Sequence, residues 1–281
     1  MAVAIVIAAL VLVSIAFPLF TPWWQTPLIS NWHSIDSALN ITLWVCGISF
    51  VVLNVFLAYS IVRYRHREGH RAHYDPESVT LERRLTVWTA VGIAALLAPG
   101  LIAWKEYVTV PKDAAVFEAV GQQWQWTFRF PGKDGVLGTV SSRRVSPDNP
   151  FGMDPNDPFG RDDVLVESSE VHIPRGQPIK AVLRSKDVLH DFFVPQIRAK
   201  MDLVPGTVTY FWFTPQRTGT YEILCAELCG VSHYTMRGTM VIDEQPAFDA
   251  WLAQQPTFAQ LVAEAAPAAP AAAPTPVISV N

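Results

Sequence analysis

Apolar residues dominate three stretches near the start of the chain, residues 1–20, 38–62 and 85–104, and no charged side chain occurs before Asp36. Each stretch is close to the ~20 residues that a helix needs to cross the hydrocarbon core of a bilayer. The pattern therefore predicts an apolar segment over residues 1–22 and a transmembrane helical hairpin over residues 38–104. The hairpin's loop, residues 63–84, carries six Arg against four acids. A short Arg-rich loop stays cytoplasmic, so both flanks of the hairpin face the other side, which in a bacterium is the periplasm. The expectation is a multi-pass protein of a bacterial inner membrane, in contact with lipid, with its C-terminal part outside. The first segment has two readings. As a signal peptide it lacks a positive n-region and a clear small-residue cleavage site. As a retained transmembrane helix it has the right length, and Trp23, Trp24 and Trp32 would form an aromatic belt at the outer interface.

After Trp104 the pattern changes from long apolar runs to short ones. Residues 115–130, rich in Val, Phe and Trp, read as a strand. Residues 131–163 are rich in Gly, Pro and Asp and read as a loop; a loop of this length is either functional or mobile. Short β-type runs follow at 164–173, 178–184, 189–194, 207–213, 219–224 and 237–242, punctuated by turn residues. This spacing predicts an all-β sandwich or barrel, over residues 112–245 with 131–163 as an insertion. Residues 265–281 form an Ala/Pro-rich tail without a packable face.

Composition adds two constraints. The net charge is −4, and the part beyond Trp104 supplies it, with 15 Lys and Arg against 20 Asp and Glu. A mildly acidic outer domain suits a basic protein partner and argues against nucleic acid. Only three cysteines are present. Cys46 lies in a membrane helix and reads as a small buried hydrophobe. Cys225 and Cys229 belong to the outer domain, where two thiols must be a disulfide or metal ligands.

The segment Cys225-Ala-Glu-Leu-Cys-Gly-Val-Ser-His-Tyr-Thr-Met236 holds two thiols, an imidazole and a thioether, and His190 lies upstream in Asp187-Val-Leu-His. Soft thiolate and thioether with imidazole select copper over Mg²⁺, Ca²⁺ or Mn²⁺. A disulfide leaves the His and Met unexplained. A Cys2His2 zinc site leaves no place for Met236, and a mononuclear blue-copper site leaves no place for the second Cys. Two coppers bridged by both thiolates, with one His each, would use every residue.

At this point the chain resembles the cytochrome c oxidase subunit II family. The resemblance rests on Cys-x-Glu-x-Cys-Gly-x-x-His-x-x-Met, on Val-Leu-His upstream, and on the hairpin followed by a β domain. It implies a membrane-anchored, cupredoxin-like β-sandwich carrying a binuclear CuA centre, with no haem in this chain. It implies Cys225 and Cys229 as bridging thiolates, His190 and His233 as terminal ligands, Met236 as axial ligand of one copper, and the Glu227 carbonyl serving the other. The Glu227 side chain would reach a Mg²⁺ or Mn²⁺ shared with subunit I. Gly121-Gln-Gln-Trp-Gln-Trp126 resembles the family's aromatic box, which makes Trp124 the point of electron entry from cytochrome c. Asp187 matches a position in the cytochrome c contact area. The implied function is to accept electrons from cytochrome c and pass them to haem in subunit I, where O2 reduction and proton translocation occur; subunit III is a further expected partner.

Several positions depart from the family's pattern. Lys186 replaces a common acid, and Gln125 a common aromatic. Leu85 stands where a Glu commonly marks a proton entry; Glu82, one turn earlier, could share its face or simply pair with Arg83 or Arg84. The 131–163 insertion beside the aromatic box is expected to contribute to the choice of donor. Alternatives are a CuA relay for a nitric oxide or nitrous oxide reductase, which Glu227 disfavours, and a copper-delivery protein without turnover. Quinol oxidase subunits share the fold but lack the copper ligands.

Overall fold

The computed structural model describes residues 2–21, 26–71, 74, 76–147 and 149–265; Trp23, Trp24 and all but the first residue of the expected 265–281 tail lie outside them. Three helices open the chain: α1 (Ala2–Phe20), α2 (His33–Arg63) and α3 (Val79–Val108). All three are long and apolar enough to cross a membrane. α1 packs along α2, with Ala4 and Val11 buried. At 1.5 Å per residue, the 31 residues of α2 and 30 of α3 run to about 45 Å, well beyond a ~30 Å hydrocarbon core. The helices therefore extend past their apolar stretches into polar flanks. Glu82, assigned to a loop by its hydropathy, lies in the first turn of α3. Cys46 differs from expectation: it is exposed on the surface of α2, where lipid or a partner chain can cover it.

Ten strands follow and form two five-stranded sheets, ordered β3-β2-β1-β5-β8 and β4-β10-β9-β6-β7. The strands are β1 (Ala115–Gln122), β2 (Gln125–Phe130), β3 (Val164–Val166), β4 (Glu170–Pro174), β5 (Ile179–Ser185), β6 (His190–Val194), β7 (Ala199–Leu203), β8 (Thr209–Phe213), β9 (Gly219–Cys225) and β10 (Arg237–Asp243). The β-sandwich is as predicted, with local differences. Residues 115–130 make an antiparallel hairpin, in register Gln122↔Gln125, where one strand was expected. Gln123 and Trp124 form its turn. Trp124 is therefore not on β2 beside Trp126, which is fully buried. β1 pairs in parallel with β5, and β10 in parallel with β4; the remaining pairings are antiparallel. Side chains alternate across a strand, so Phe117, Ala119, Phe128, Phe192, Phe211 and Phe213 meet between the sheets as one aromatic core. Two short helices, α4 (Gln245–Leu252) and α5 (Phe258–Ala265), close the chain's described part. α4 sets Phe248 and Trp251 against Phe130.

Residues 26–32, just ahead of α2, form a strap beneath the sandwich. Ile29 donates its N–H to the Gln196 carbonyl and accepts from Gln216 N–H, at 3.0 and 2.7 Å. Ser30 Oγ donates to the Ile197 carbonyl at 2.7 Å. Trp32 is only 1% exposed, lies against Tyr107 and Trp212, and donates its indole N–H to the Trp212 carbonyl. It is thus a core residue of the outer domain and not part of an aromatic belt facing lipid. Trp212 in turn donates to the Glu106 carbonyl at the end of α3. Arg198, in a left-handed conformation with φ 66°, pairs with Asp36 at the start of α2 at 2.7 Å. Both helices of the hairpin are therefore fastened directly to the sandwich.

The 131–163 insertion packs as a second layer over the outer face of the first sheet. Phe151 and Met153 are fully buried beside Val120, Leu165 and Phe258. Burial of Glu118, Arg129 and Asp163 under this cover would be costly for isolated charges, and they are paired. Arg129 lies 2.8 Å from Glu118 and 2.7 Å from Asp163, and Arg184 also reaches Glu118. Although burial alone would raise Glu118, Arg129 and Arg184 hold its carboxyl below the ordinary value. Burial pushes Asp163 up to about 6 against the pull of Arg129. Removing one partner of such a network leaves an uncompensated charge, so the insertion is part of the domain's structure. Phe151→Ala should cost about 3–5 kcal/mol of stability, read as a lower denaturant midpoint of the purified protein; an unchanged midpoint would show that the second layer is dispensable.

Candidate metal centre

Three connections meet at one end of the sandwich: the β1–β2 turn, the β5–β6 turn over residues 186–189, and the β9–β10 loop. The last is closed at its base by Cys225 N–H donating to the Met236 carbonyl at 3.2 Å, so the segment from Cys225 to Met236 forms one compact loop. Within it a 3₁₀ turn, His233–Thr235, brings the imidazole back toward the cysteines. Gly230 has φ 122°, and a Cβ there would meet Gln123 Nε2 at 2.9 Å; only glycine permits this approach to the β1–β2 turn. His190 opens β6, is fully buried, and faces the loop.

The sequence-predicted ligands converge. Cys225 Sγ lies 3.7 Å from Cys229 Sγ and 3.8 Å from His190 Nδ1. Cys229 Sγ lies 3.4 Å from His233 Nδ1 and 3.8 Å from Met236 Sδ. The Glu227 carbonyl oxygen is 3.2 Å from Cys225 Sγ. His190, Cys225 and Cys229 offer ligand atoms within 4.8 Å of one another. A sulfur–sulfur distance of 3.7 Å is far from the ~2.05 Å of a disulfide.

The electrostatics fit a bound cation. Burial would raise Cys225, yet His190 and the backbone around Asp191 and Glu227 bring its thiol down to about 6. Burial and the adjacent Cys225 sulfur push Cys229 up to about 12. Two sulfurs this close cannot both carry charge without a cation between them. Thiolates, imidazoles and a thioether are together a soft donor set suited to copper, so the cluster is a candidate copper site.

Other predicted residues fall into place around it. Trp124 is half-buried, and its indole N–H donates to the Cys229 carbonyl at 3.3 Å. Gln123, which the sequence did not single out for a role, donates its amide to the same carbonyl at 2.7 Å. Asp187 is exposed on the β5–β6 turn with both oxygens engaged: Oδ1 lies 2.8 Å from His190 Nε2, and Oδ2 accepts the Gln123 backbone N–H at 2.7 Å. The Glu227 side chain makes no hydrogen bond or ion pair among the described residues. On the same flank lie Asp191, Lys200 and Asp202, which sequence reasoning missed; their signal is the polar alternation of Ala199–Leu203. Burial, then Asp202, raises Asp191 to about 7. Burial alone would lower the Lys200 ammonium, but Asp191, Asp202 and Glu227 outweigh it. Leu228, Val231 and Tyr234 stand 78, 88 and 75% exposed on the loop's outer side, three apolar side chains within one seven-residue stretch. Glu82 lies far along the chain at the other end of α3 and makes no ion pair with Arg83 or Arg84 among the described residues.

Comparison with known proteins gives concordant matches. Residues 115–244 match the family described as cytochrome C oxidase subunit II, periplasmic domain. The chain is 53% identical to the alternative cytochrome c oxidase subunit 2 of Bradyrhizobium diazoefficiens, over 93% of this chain and 94% of that protein. It is 24% identical to cytochrome c oxidase subunit 2 of Cereibacter sphaeroides, over 88% of this chain and 83% of that one. Among solved structures, the periplasmic domain of subunit II of cytochrome oxidase from Bradyrhizobium japonicum aligns with 26% identity, covering 52% of this chain and 95% of that domain at a TM-score of 0.38.

The thiol values give a direct expectation. In metal-free protein, the first alkylation should go to Cys225, whose thiol lies at about 6, ahead of Cys229, which burial and the neighbouring Cys225 sulfur hold above the ordinary thiol range. Copper should block both. Two thiols titrating together near 9 would contradict the geometry.

Proposed function

Since the chain belongs to the cytochrome c oxidase subunit II family, we propose that it accepts electrons from cytochrome c at a binuclear CuA centre and passes them to haem in subunit I. Reduction of O2 to water and its coupling to proton translocation are then the work of subunit I; subunit III completes the expected complex. The observation that carries this reading is the convergence of two cysteine sulfurs, 3.7 Å apart, with His190, His233 and Met236. Cys225 and Cys229 are the proposed bridging ligands, His190 and His233 the terminal ones. Met236 and the Glu227 carbonyl complete the set. A pair of bridged coppers would supply one-electron exchange with little rearrangement, since the charge change is shared.

The surrounding residues support an electron relay and offer no site for bond-making. Cys229 and Met236 are buried, and His190 is wholly shielded from solvent, while Cys225 and His233 are partly exposed. Trp124 reaches from the outer surface to the Cys229 carbonyl and is the proposed entry point. The apolar rim of Leu228, Val231 and Tyr234 is a face for protein contact. Glu227, whose carboxylate makes no hydrogen bond or ion pair among the described residues, is the proposed ligand of a Mg²⁺ or Mn²⁺ at the boundary with subunit I, since hard cations take carboxylate oxygen. Glu82, in the first turn of α3, is the proposed proton entry on the cytoplasmic side.

The insertion's part in donor choice would be exerted at its edge. Phe151 lies beneath the Lys186 ammonium at 5.7 Å, and Lys186 donates to Gln122 next to the entry turn. The proposed location is the inner membrane of a bacterium, with the sandwich in the periplasm. The 63–84 loop supports this orientation through its Arg excess.

EPR with metal analysis on the full chain tests the central reading. The full chain is required because Ile29 and Trp32 of the strap belong to the sandwich core. Two coppers per chain and a seven-line hyperfine pattern are expected; one copper, or zinc, would overturn it. Two variants separate the surrounding roles. Trp124→Ala should slow electron entry from cytochrome c and leave the copper spectrum intact. Glu227→Ala should keep the copper absorbance and lose bound Mn²⁺. An unaltered entry rate removes Trp124 from the path, and unaltered Mn²⁺ binding removes Glu227 from the second site.

A further inference from the structure

Where the end of α3 meets the strap and β8, a cleft of about 550 Å³ remains, lined by Trp32, Ile102, Lys105, Glu106, Val110 and Trp212 among others. Its walls are bonded to one another. The indoles of Trp32 and Trp212 meet edge to face, with centroids 4.8 Å apart. Trp212 donates its indole N–H to the Glu106 carbonyl at 3.0 Å. Thr109 Oγ1 donates to the Lys105 carbonyl, and Asn31 Oδ1 accepts the Thr214 N–H, both at 2.7 Å. Two polar groups in the lining are left over. The Lys105 ammonium and the Glu106 carboxylate are exposed and make no hydrogen bond or ion pair among the described residues.

Height in the membrane decides what can fill this cleft. The apolar run of α3, residues 85–104, rises about 30 Å at 1.5 Å per residue, which matches the hydrocarbon core of a bilayer. Ile102 lies in the last turn of that run and is 61% exposed, so its surroundings are acyl chains. Lys105 and Glu106 follow within one turn and stand at the level of the headgroups. Trp104 lies between them and Ile102, is 64% exposed, and is of the residue type that settles at the membrane–water interface. The cleft is therefore apolar at its lower end and carries one charge of each sign at its upper end. A molecule that fits it must be built in the same order.

We propose that this cleft binds one zwitterionic, amine-bearing phospholipid from the leaflet on the sandwich's side, with its phosphate on Lys105, its ammonium on Glu106 and an acyl chain along Ile102. A lipid with a net negative headgroup would satisfy Lys105 and be repelled by Glu106, so the pair selects for the amine. The bound lipid lies under β8, between the helix and the sheet, and braces the sandwich at a second point beside the strap.

The test exchanges the intact oxidase into bilayers of phosphatidylethanolamine or of phosphatidylglycerol, strips it with mild detergent, and counts the retained lipids by native mass spectrometry. Wild type should keep a phosphatidylethanolamine that Lys105→Gln releases about 5-fold more readily, the factor that corresponds to one Lys at a lipid surface. Glu106→Gln should retain phosphatidylglycerol as well as it retains phosphatidylethanolamine, because the opposing charge is gone. Both side chains are exposed, and circular dichroism checks that each variant is folded. Equal lipid retention and equal headgroup preference in wild type and both variants would overturn the proposal. Loss of subunit I from either variant would overturn it too, by making the cleft a contact with protein.

Discussion

Two sulfurs held 3.7 Å apart on the inner side of one loop repel once both are ionised, and much of the outer domain can be understood as the means of holding them there. The loop is closed at its base by a backbone bond between its first and last residues, Cys225 and Met236. It is capped by the β1–β2 turn and backed by β6, which supplies His190. Each of these supports belongs to a different part of the sequence, and only the sandwich brings them together. The site therefore depends on the aromatic core between the sheets, where Phe117, Phe128 and Phe192 fix how the strands stack. A rigid scaffold with its functional groups on the connections at one end is a common arrangement. Here the connections are also bonded to one another, which few surface loops are.

A second constraint is the distance between the site and the membrane. The proposed relay would need a fixed spacing to the next redox centre, and a flexible linker between helices and domain would not keep it. The strap and the end of α3 remove that freedom. Trp32, Tyr107 and Trp212 pack as one cluster, and the Arg198–Asp36 pair ties the β6–β7 region to the start of α2. The half-exposed ion pair alone would contribute little. Its value is directional, since the buried indole supplies the packing and the guanidinium fixes the angle. The sandwich is thus mounted on the hairpin, not tethered to it.

Much of this was legible in the sequence, for reasons that also explain what was not. The ligands fall within one twelve-residue segment, so local spacing revealed them, and the helices announced themselves through length and hydropathy. Strands β4 to β6 and β8 to β10 carry enough Val, Ile and aromatic residues to be recognised. β7 was missed because Lys200 and Asp202 interrupt a five-residue run that follows a left-handed Arg198. The hairpin at Gln123–Trp124 was missed because its turn lacks the usual Gly or Asn signal. Trp32 was misplaced because a tryptophan near a membrane helix is ambiguous until its partners, 180 residues away, are known. The insertion looked like a loop because its apolar residues, Phe151 and Met153, are isolated among Pro, Gly and Asp. The bond between Asp187 and His190 was missed, although a spacing of three residues was a signal that the two could meet.

The strap has a consequence for how the protein is made. Its partners lie far along the chain: Ser30 bonds to Ile197 across 167 residues, and Asp36 to Arg198 across 162. Two helices separate the strap from the sandwich, so these contacts form only when both have been inserted and the ends of the hairpin have emerged on one side. If only one of the two helices were inserted, Trp32 and the later strands would lie in different compartments, and the sandwich would lack part of its floor. Completion of the domain is in this way a check on membrane insertion, built into the packing of a single indole ring.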